Sequence, residues 1–472
     1  MTDVVIVGGG PSGLAAAHEA VGGGARVMVV ERLDHVGGLA RTIERAGSRF
    51  DIGPHRFFTK NRAIHALFVD TVGADLVQVS RRTRILHDGR FFDYPLTPWN
   101  ALGGVGAGAG AAILASYLMA GARRAVRPTP IATFEDWVID RFGRRLYETF
   151  FKSYTEKVWG IPCTRIGAEW AAQRIKSLSL GTAVAHALSR SRGTVVPTLL
   201  DRFVYPRLGA GQLYEKMAAL VAQGGGAVVT GATVRSIRRE GMRVRAVAVD
   251  DGGGGSHDVE GRAFLVSVPL TDMVAMMRPA APPDVLRACR ALRYRNHVGV
   301  NLLVEGEVFP DNWIYVHSKD VAMARVANYR NFSPHMAGRA GVSPLTVEYF
   351  TFPGDVLWSA PDETLLARAA RELERMHLLT RDQIVDGFVV RSEQAYPLID
   401  IECARHVAII KAWLDGFQNL LPIGRAGMFK YNNQDHAMAT GVLAARTLLG
   451  TRRFDPWLVN IDAEYQEDAA AP

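Results

Sequence analysis

The sequence predicts an α/β protein in which a Rossmann-like dinucleotide-binding domain is accompanied by an inserted helical domain and an antiparallel β-sheet domain. Three observations predict it. The chain opens with "VVIVGGGPSGLAAAHEA" and "ARVMVVE", which read as strand, glycine turn, helix and strand in register. Residues from about 98 to 195 carry apolar positions at helical spacing, as in "TFEDWVIDRFGRRLYETFFKSYTEKVWG". Residues 293–352 contain the strand-like runs "HVGVNLLVEG", "NWIYVHS" and "LTVEYFTF".

In the opening unit, Gly8, Gly10 and Gly13 fit G-x-G-x-x-G. The first glycine permits the tight turn, the second lets backbone approach a pyrophosphate, and the third lets helix pack on strand. The phosphates then meet the positive end of the helix. Glu31 ends the next strand eighteen residues after Gly13, where a carboxylate can hold ribose hydroxyls. Further on, "QLYEKMAALVAQGGGAVVTGATVRSIRREG" reads as a helix and a short strand around Val228. "VRAVAVDDGGGG" and "RAFLVSVPL" read as strands on either side of a glycine-rich turn.

Composition bounds the rest. A chain of 472 residues exceeds one compact core, and 48% hydrophobic with 22% charged residues is ordinary for a folded domain. The net charge of +8 suits an anionic ligand, but the arginines are spread rather than blocked, which argues against a nucleic-acid polymer as partner. Cys163, Cys289 and Cys403 match no metal or redox spacing, so no metal is expected. With the first strand starting near residue 3 and no signal peptide before it, a reducing cytoplasm is the expectation. One stretch departs from this picture: Tyr94 to Ala122 carries no charge, and Arg123, Arg124 and Arg127 follow. Its Gly- and Ala-rich composition disfavours a membrane span. A plain helical segment and peripheral membrane contact through 101–122 both stay open.

After Glu31, "RLDHVGGLARTIERAGSRFDIGPHRFF" places Gly37, Gly38, Arg41 and Thr42 as in the second signature of a large FAD-binding superfamily, which the segment resembles. That superfamily includes amine oxidases, protoporphyrinogen oxidase, phytoene desaturases and UDP-galactopyranose mutases. Within it "DIGPHRFF" is similar to the mutases, which implies that the backbone at Gly53 and His55 lies beside the flavin ring. The resemblance implies an FAD-binding domain from 1–80, 207–275 and 418–472, a helical domain at 98–195, and a substrate domain from 81–97, 196–206 and 276–417. Val234 and Asp435 join the expected cofactor contacts, and the helix starting near Asp435 brings a second amino terminus to the cofactor.

"FEDWVIDRFG" and "FFKSYTEKVWGIP" narrow the resemblance to UDP-galactopyranose mutases. It implies that Tyr154 and Trp159 surround the uridine of a nucleotide sugar, and base stacking on aromatic rings is physically sound. Arg174 and Arg325 match two arginines that grip the pyrophosphate, a task suited to planar, always-charged donors. Trp313, twelve residues before Arg325, belongs to the same pattern with Tyr315, and Tyr94 joins the substrate set. Tyr396 and Tyr431 match tyrosines that hydrogen-bond the phosphates. Arg425 matches an arginine near the flavin, and Asn433 resembles an asparagine near the sugar. The implied chemistry is a pyranose–furanose exchange in which N5 of reduced FAD bonds to the anomeric carbon while the diphosphate leaves, with dithionite or NAD(P)H as reductant. That chemistry needs positioning groups rather than a protein acid or base.

The likeness is imperfect. Thr97 stands where eukaryotic mutases carry a glutamine, and Leu200 and Asp201 stand where an asparagine is expected. The uncharged segment near 110 is more apolar than its counterpart, leaving a lipid-linked or deoxy sugar open. The alternative is an FAD-dependent oxidoreductase of the amine oxidase or desaturase type, acting on a sugar or hydrophobic substrate. A flavin-binding protein without catalysis is a third class. Sugar, nucleotide and oligomeric state are not legible in the sequence.

Overall fold

The computed structural model describes residues 2–96, 98–127, 130–168, 170–171, 202–253, 255–450 and 453–460. The first strand, Thr2–Val7, lies inside an eight-stranded sheet. Its parallel half runs, in order, through Ala227–Val229, Val27–Val30, Thr2–Val7, Ser256–Val266 and Leu420–Pro422. Val4, Val5 and Ile6 are fully buried because both faces are covered, which explains their unbroken apolar run. Val4 and Ile6 meet the helices Pro11–Gly22, Gly211–Gln223 and Gln434–Leu449. Val5 and Val7 meet the opposite layer, with Leu270–Ala275, Pro283–Ala291 and Cys403–Leu414.

The strand Ser256–Val266 changes partner half-way. Residues 256–260 pair antiparallel with Arg243–Asp250, and 261–266 pair parallel with Thr2–Val7. Gly261 sits at the switch, where a Cβ would lie 2.7 Å from a Val5 methyl. The helices Pro283–Ala291 and Cys403–Leu414 pack in the core of this first sheet, whereas 276–417 was expected to belong to the substrate domain. An amphipathic helix carries no label for the sheet it will cover; packing chooses it.

The second sheet has seven strands, in the order Ile384–Pro397, Tyr294–Glu305, Val342–Thr351, Arg325–Asn328, Trp313–Val316, Thr83–His87 and Arg90–Asp93. It is antiparallel apart from one junction, where Trp313–Val316 runs parallel to Thr83–His87. Arg202–Pro206, expected in this sheet, instead pairs with Leu76–Ser80 in a ribbon of its own. One face of the large sheet packs on the helix Asp362–Arg375. The other turns Tyr315, Arg325, Phe350 and Tyr396 toward a cavity.

Against the Ile85 and Phe92 edge of the second sheet lie Pro98–Gly104, Ala107–Val126, Phe134–Phe142 and Arg144–Leu146, then a π-turn Tyr147–Phe151 that leads into Lys152–Trp159. Phe134–Phe142 starts at a capping box between Thr133 and Asp136. Lys152–Trp159 stops at left-handed Gly160 (φ 68°), as helices commonly do. Two cations clamp this last helix to the sheet. Lys157 Nζ donates to the carbonyls of Val316, Ser318 and Met323 at 3.0, 2.8 and 3.0 Å. Burial pulls its pKa down to about 8. Arg295 donates through Nε to the Val158 carbonyl at 3.0 Å and stacks on Phe352. No helix among the described residues is long and apolar enough to cross a membrane.

Candidate active site

One cavity of about 1390 Å³ opens where the two sheets and the helical segment meet. That is more room than a single small-molecule site needs, so it can take a cofactor and a second ligand together. Its wall includes eight arginines (32, 41, 56, 235, 278, 325, 391 and 425) against three carboxylates, Glu31, Asp272 and Glu393. Arg235, Arg325 and Arg391 pair with Asp250, Glu348 and Asp362 outside the wall. Among the described residues the balance still stays positive, so the cavity favours anions.

At one end the backbone makes the site. The helix Pro11–Gly22 begins at Gly10 with no side-chain cap and no acid in its first turn, leaving its first N–H groups for a ligand. Gly8 has φ 105°, and a Cβ there would lie 2.2 Å from Ser267 Oγ. A Cβ on Gly13 would lie 1.9 Å from the Gly8 carbonyl, so this glycine serves packing and does not line the cavity. On Gly10 a Cβ would meet only the Gly38 Cα, at 3.9 Å; the space in front of it is cavity. Glu31 accepts from the backbone N–H groups of Gly9 (2.6 Å) and Leu33 (2.9 Å), which fixes its carboxylate at the cavity edge. Arg41 donates through Nη1 to the Gly38 carbonyl at 2.8 Å, and its buried Nε has no partner in the described residues. Burial lowers the Arg41 pKa, against the pull of Glu31 and Asp34. Val234 lines the same end.

In the middle, Gly53 turns with φ 88° against Glu348, whose Oε2 would be 2.8 Å from an added Cβ. The preceding Asp51 pins the turn. It accepts from Thr42 Oγ1 (2.6 Å), from the Tyr205 hydroxyl and from Ala210 N–H (3.2 Å), and Tyr329 donates to its carbonyl at 2.6 Å. Burial raises the Asp51 carboxyl to about 7, although these donors pull the other way. His55 is held neutral, with its pKa lowered to about 3 by burial and by Arg425.

Arg325 donates through Nη2 to Glu348 Oε2 at 2.6 Å and to the Tyr396 hydroxyl at 3.4 Å, and His297 Nε2 meets the same Glu348 oxygen at 3.0 Å. Burial opposes the charge on Arg325, but Glu348 and the surrounding tyrosines override it and hold the guanidinium firmly protonated. Burial would raise Glu348 too, yet Arg325 and His297 bring it down to about 2. The Arg325 Nε is buried and without partner among the described residues, and the residue lines the cavity. Arg425, anchored through Nε on the Asn432 carbonyl at 2.7 Å, lies over the rings of Tyr396 (4.9 Å) and Tyr431 (5.0 Å).

The far end is aromatic. Tyr154 stacks on His317 with centroids 4.5 Å apart and meets Tyr315 edge-on at 5.6 Å, and Tyr94 packs on Tyr315 at 4.7 Å. Trp159 lines the cavity although it is only 2% exposed, and it packs against Trp170 and Tyr431. Trp313 lines the cavity but stacks behind it on Phe332 at 5.9 Å.

Most of the residues singled out from sequence therefore meet in one cavity. Among the described residues, two do not line it. Gly13 packs behind it. Asp435 is buried inside the helix Gln434–Leu449, whose first turn reaches the cavity through Gln434 and His436. Arg174 lies outside the described residues, as do Thr97, Leu200 and Asp201. Asn433 lines the cavity and also caps that helix in a capping box with His436. Glu348, His297 and His317 went unnoticed. The available signal was an acid between Val347 and Tyr349, in a strand otherwise apolar enough to be wholly buried.

The sequence pattern of the family described as "Flavin containing amine oxidoreductase" matches residues 11–397. Coproporphyrinogen III oxidase of Mycobacterium tuberculosis (strain ATCC 25618 / H37Rv) is 26% identical over 435 residues, covering 87% of this chain and 90% of that protein. A probable UDP-galactopyranose mutase of Klebsiella pneumoniae is 28% identical over 173 residues, covering 35% of this chain and 43% of that one. Among solved structures, reduced UDP-galactopyranose mutase superposes with a TM-score of 0.84 and 20% identity, covering 98% of each chain. Likeness at that identity shows a shared fold and no more.

Proposed function

The chain belongs to the flavin containing amine oxidoreductase family, and from that premise we propose that it is an FAD-dependent mutase working on a sugar joined to a diphosphate, a nucleotide sugar of the UDP-galactopyranose type. The wall residues fit FAD. The uncapped turn at Gly10 suits its pyrophosphate, Glu31 its ribose, and the positive charge of Arg41 on the same wall an anionic neighbour. When bound and reduced, a flavin supplies an electron-rich nitrogen able to bond to an anomeric carbon.

The chain's own part is to hold and to neutralise. Arg325 carries the reading: it lines the cavity as a cation braced from behind by Glu348, with 16% of its side chain open. Facing a departing diphosphate, it stabilises charge at the cost of no rearrangement, because Glu348 already holds it in place. The Tyr396 hydroxyl lies 3.4 Å from its Nη2, Arg425 over Tyr396 and Tyr431 adds a second positive charge nearby, and Arg174 would complete the grip. Tyr154, Tyr315 and Tyr94 exclude water and offer ring surface to a flat base, with Trp159 beside them on the same wall.

The second reading, an oxidase of a polyanionic substrate, draws on the full-length likeness to coproporphyrinogen III oxidase. The excess of arginines suits that substrate's carboxylates as well. One experiment separates the two. Protein reduced anaerobically with dithionite is incubated with UDP-galactopyranose and other nucleotide sugars. We expect furanose product, no net flavin oxidation over many turnovers, and a flavin–sugar adduct trapped by borohydride. Oxygen consumption matched to porphyrinogen oxidation, with every nucleotide sugar inert, would select the oxidase instead.

A further inference from the structure

The helix Ala107–Val126 presents an unusual outer face. Its inner positions Gly110 and Ile113 are buried, and Ile113 joins the core that backs the cavity's aromatic wall, with Phe134, Phe150 and Trp159. Its outer positions Ala111, Ala112, Ala115, Leu118, Met119 and Ala122 recur every three or four residues and are all exposed. A helix lying on a globular protein gives that stripe to polar and charged side chains. Here it has none until Arg123. Leu118, Met119 and Val126 keep 60%, 72% and 86% of their surface in water, and Ile131, five residues past the helix, keeps 43%. Arg123, Arg124 and Arg127 close the patch, and residues 94–134 contain no acid. Arg124 donates to the Asp140 carbonyl at 2.7 Å and pairs with its carboxylate at 3.3 Å, which leaves exposed Arg123 and Arg127 as the charges facing outward.

We propose that this face seats on an anionic lipid bilayer. Leu118, Met119, Val126 and Ile131 enter the boundary between headgroups and acyl chains, and the arginines stay level with the phosphates. Charge sets the choice of occupant. A two-fold contact between copies through this face would bring like-charged arginine clusters together, whereas a bilayer offers an apolar interior beneath negative headgroups. The helix lies flat. Its stripe is one-sided and its other side belongs to the protein core. Because that inner side also backs the cavity, docking would bring the cavity close to the membrane surface.

Co-sedimentation of the full chain with vesicles tests this. Phosphatidylcholine alone is compared with a mixture holding about a third phosphatidylglycerol. The expected result is binding to the mixture, weak binding to phosphatidylcholine alone, and release as salt rises to about 0.5 M. Leu118→Glu with Met119→Glu should weaken partitioning by about ten-fold or more. Arg123→Glu with Arg127→Glu should erase the preference for anionic vesicles. Both pairs lie on exposed positions, so each variant should keep its flavin content and melting temperature. Three outcomes would overturn the proposal: no sedimentation with either vesicle, equal binding to both, or undiminished binding of the Leu118→Glu/Met119→Glu variant. A dimer in lipid-free solution that this variant splits would overturn it as well, by showing the face covered by a second copy.

Discussion

At the dinucleotide end of the cavity the backbone makes the site: a glycine turn, an uncapped helix start and one acid held by two N–H groups. At the far end side chains make it, converging from the strands Arg325–Asn328, Val342–Thr351 and Ile384–Pro397 and the helix Lys152–Trp159. The first kind tolerates any side chain that keeps the turn open and fails when a Cβ intrudes. The second depends on each buried charge finding its partner, so removing one member harms both stability and binding.

The largest expected effect tests the backbone end. Gly10→Val should fold, because a Cβ there meets only Gly38 Cα at 3.9 Å, yet fill the space before the helix. Flavin per protein, read from visible absorbance, should fall below about a tenth of wild type. A variant that keeps its flavin would move the cofactor away from this turn.

At the other end, Arg325→Ala leaves Glu348 buried without its cation, and unfolding in denaturant should show a loss of about 3–5 kcal/mol. Adding Glu348→Gln removes the stranded charge and should restore most of that stability. It should not restore affinity for UDP, which is expected to stay about 2–4 kcal/mol weaker by calorimetry. If the double variant regains both, Arg325 is structural and the anion grip lies elsewhere.

The turn between the two ends has a pH signature. Asp51 has its folded pKa raised from 3.8 to about 7. The folded state therefore keeps a proton that the unfolded state has released above about pH 4. The stabilising contribution is complete below that pH and is lost as pH rises toward 7, so stability falls with pH across this window. Asp51→Asn should flatten that part of the denaturation profile; an unchanged slope would place the titration on another group.

The smallest expected effect lies at the carboxyl-terminal edge of the cavity. Asn460 Nδ2 donates to the Tyr431 carbonyl at 3.1 Å and to Asn432 Oδ1 at 3.2 Å. Asn460→Ala should weaken UDP binding by about 0.5–1.5 kcal/mol while leaving flavin content intact. A larger loss with flavin gone would make it part of the cofactor end.

How far the site could be read in advance follows the same division. Gly8, Gly10, Gly13 and Glu31 lie within one strand–turn–helix–strand unit, and spacing alone placed them. Tyr154, Arg325, Tyr396 and Tyr431 were found by motif likeness, and all four line the cavity. Glu348 and His297 were missed because neither has a local pattern. Glu348 faces Arg325 in one strand pairing and Gly299, two residues from His297, in another, so only register joins the three side chains. Trp159 lies on the same cavity, and packing against Trp170 and Tyr431 leaves it only 2% exposed.

Local sequence was enough for the dinucleotide unit, because a turn that needs positive φ and a helix that needs no cap are properties of neighbouring residues. It was also enough to mark the uncharged stripe of Ala107–Val126, since composition and period sit within one element. Strand register and domain packing decided the rest. They chose which arginine is braced by a carboxylate, which aromatic ring is free to meet a ligand, and which sheet each helix covers. Those outcomes depend on contacts between residues far apart in the chain, where the energy of a buried charge or ring is set by its surroundings rather than by its neighbours in sequence.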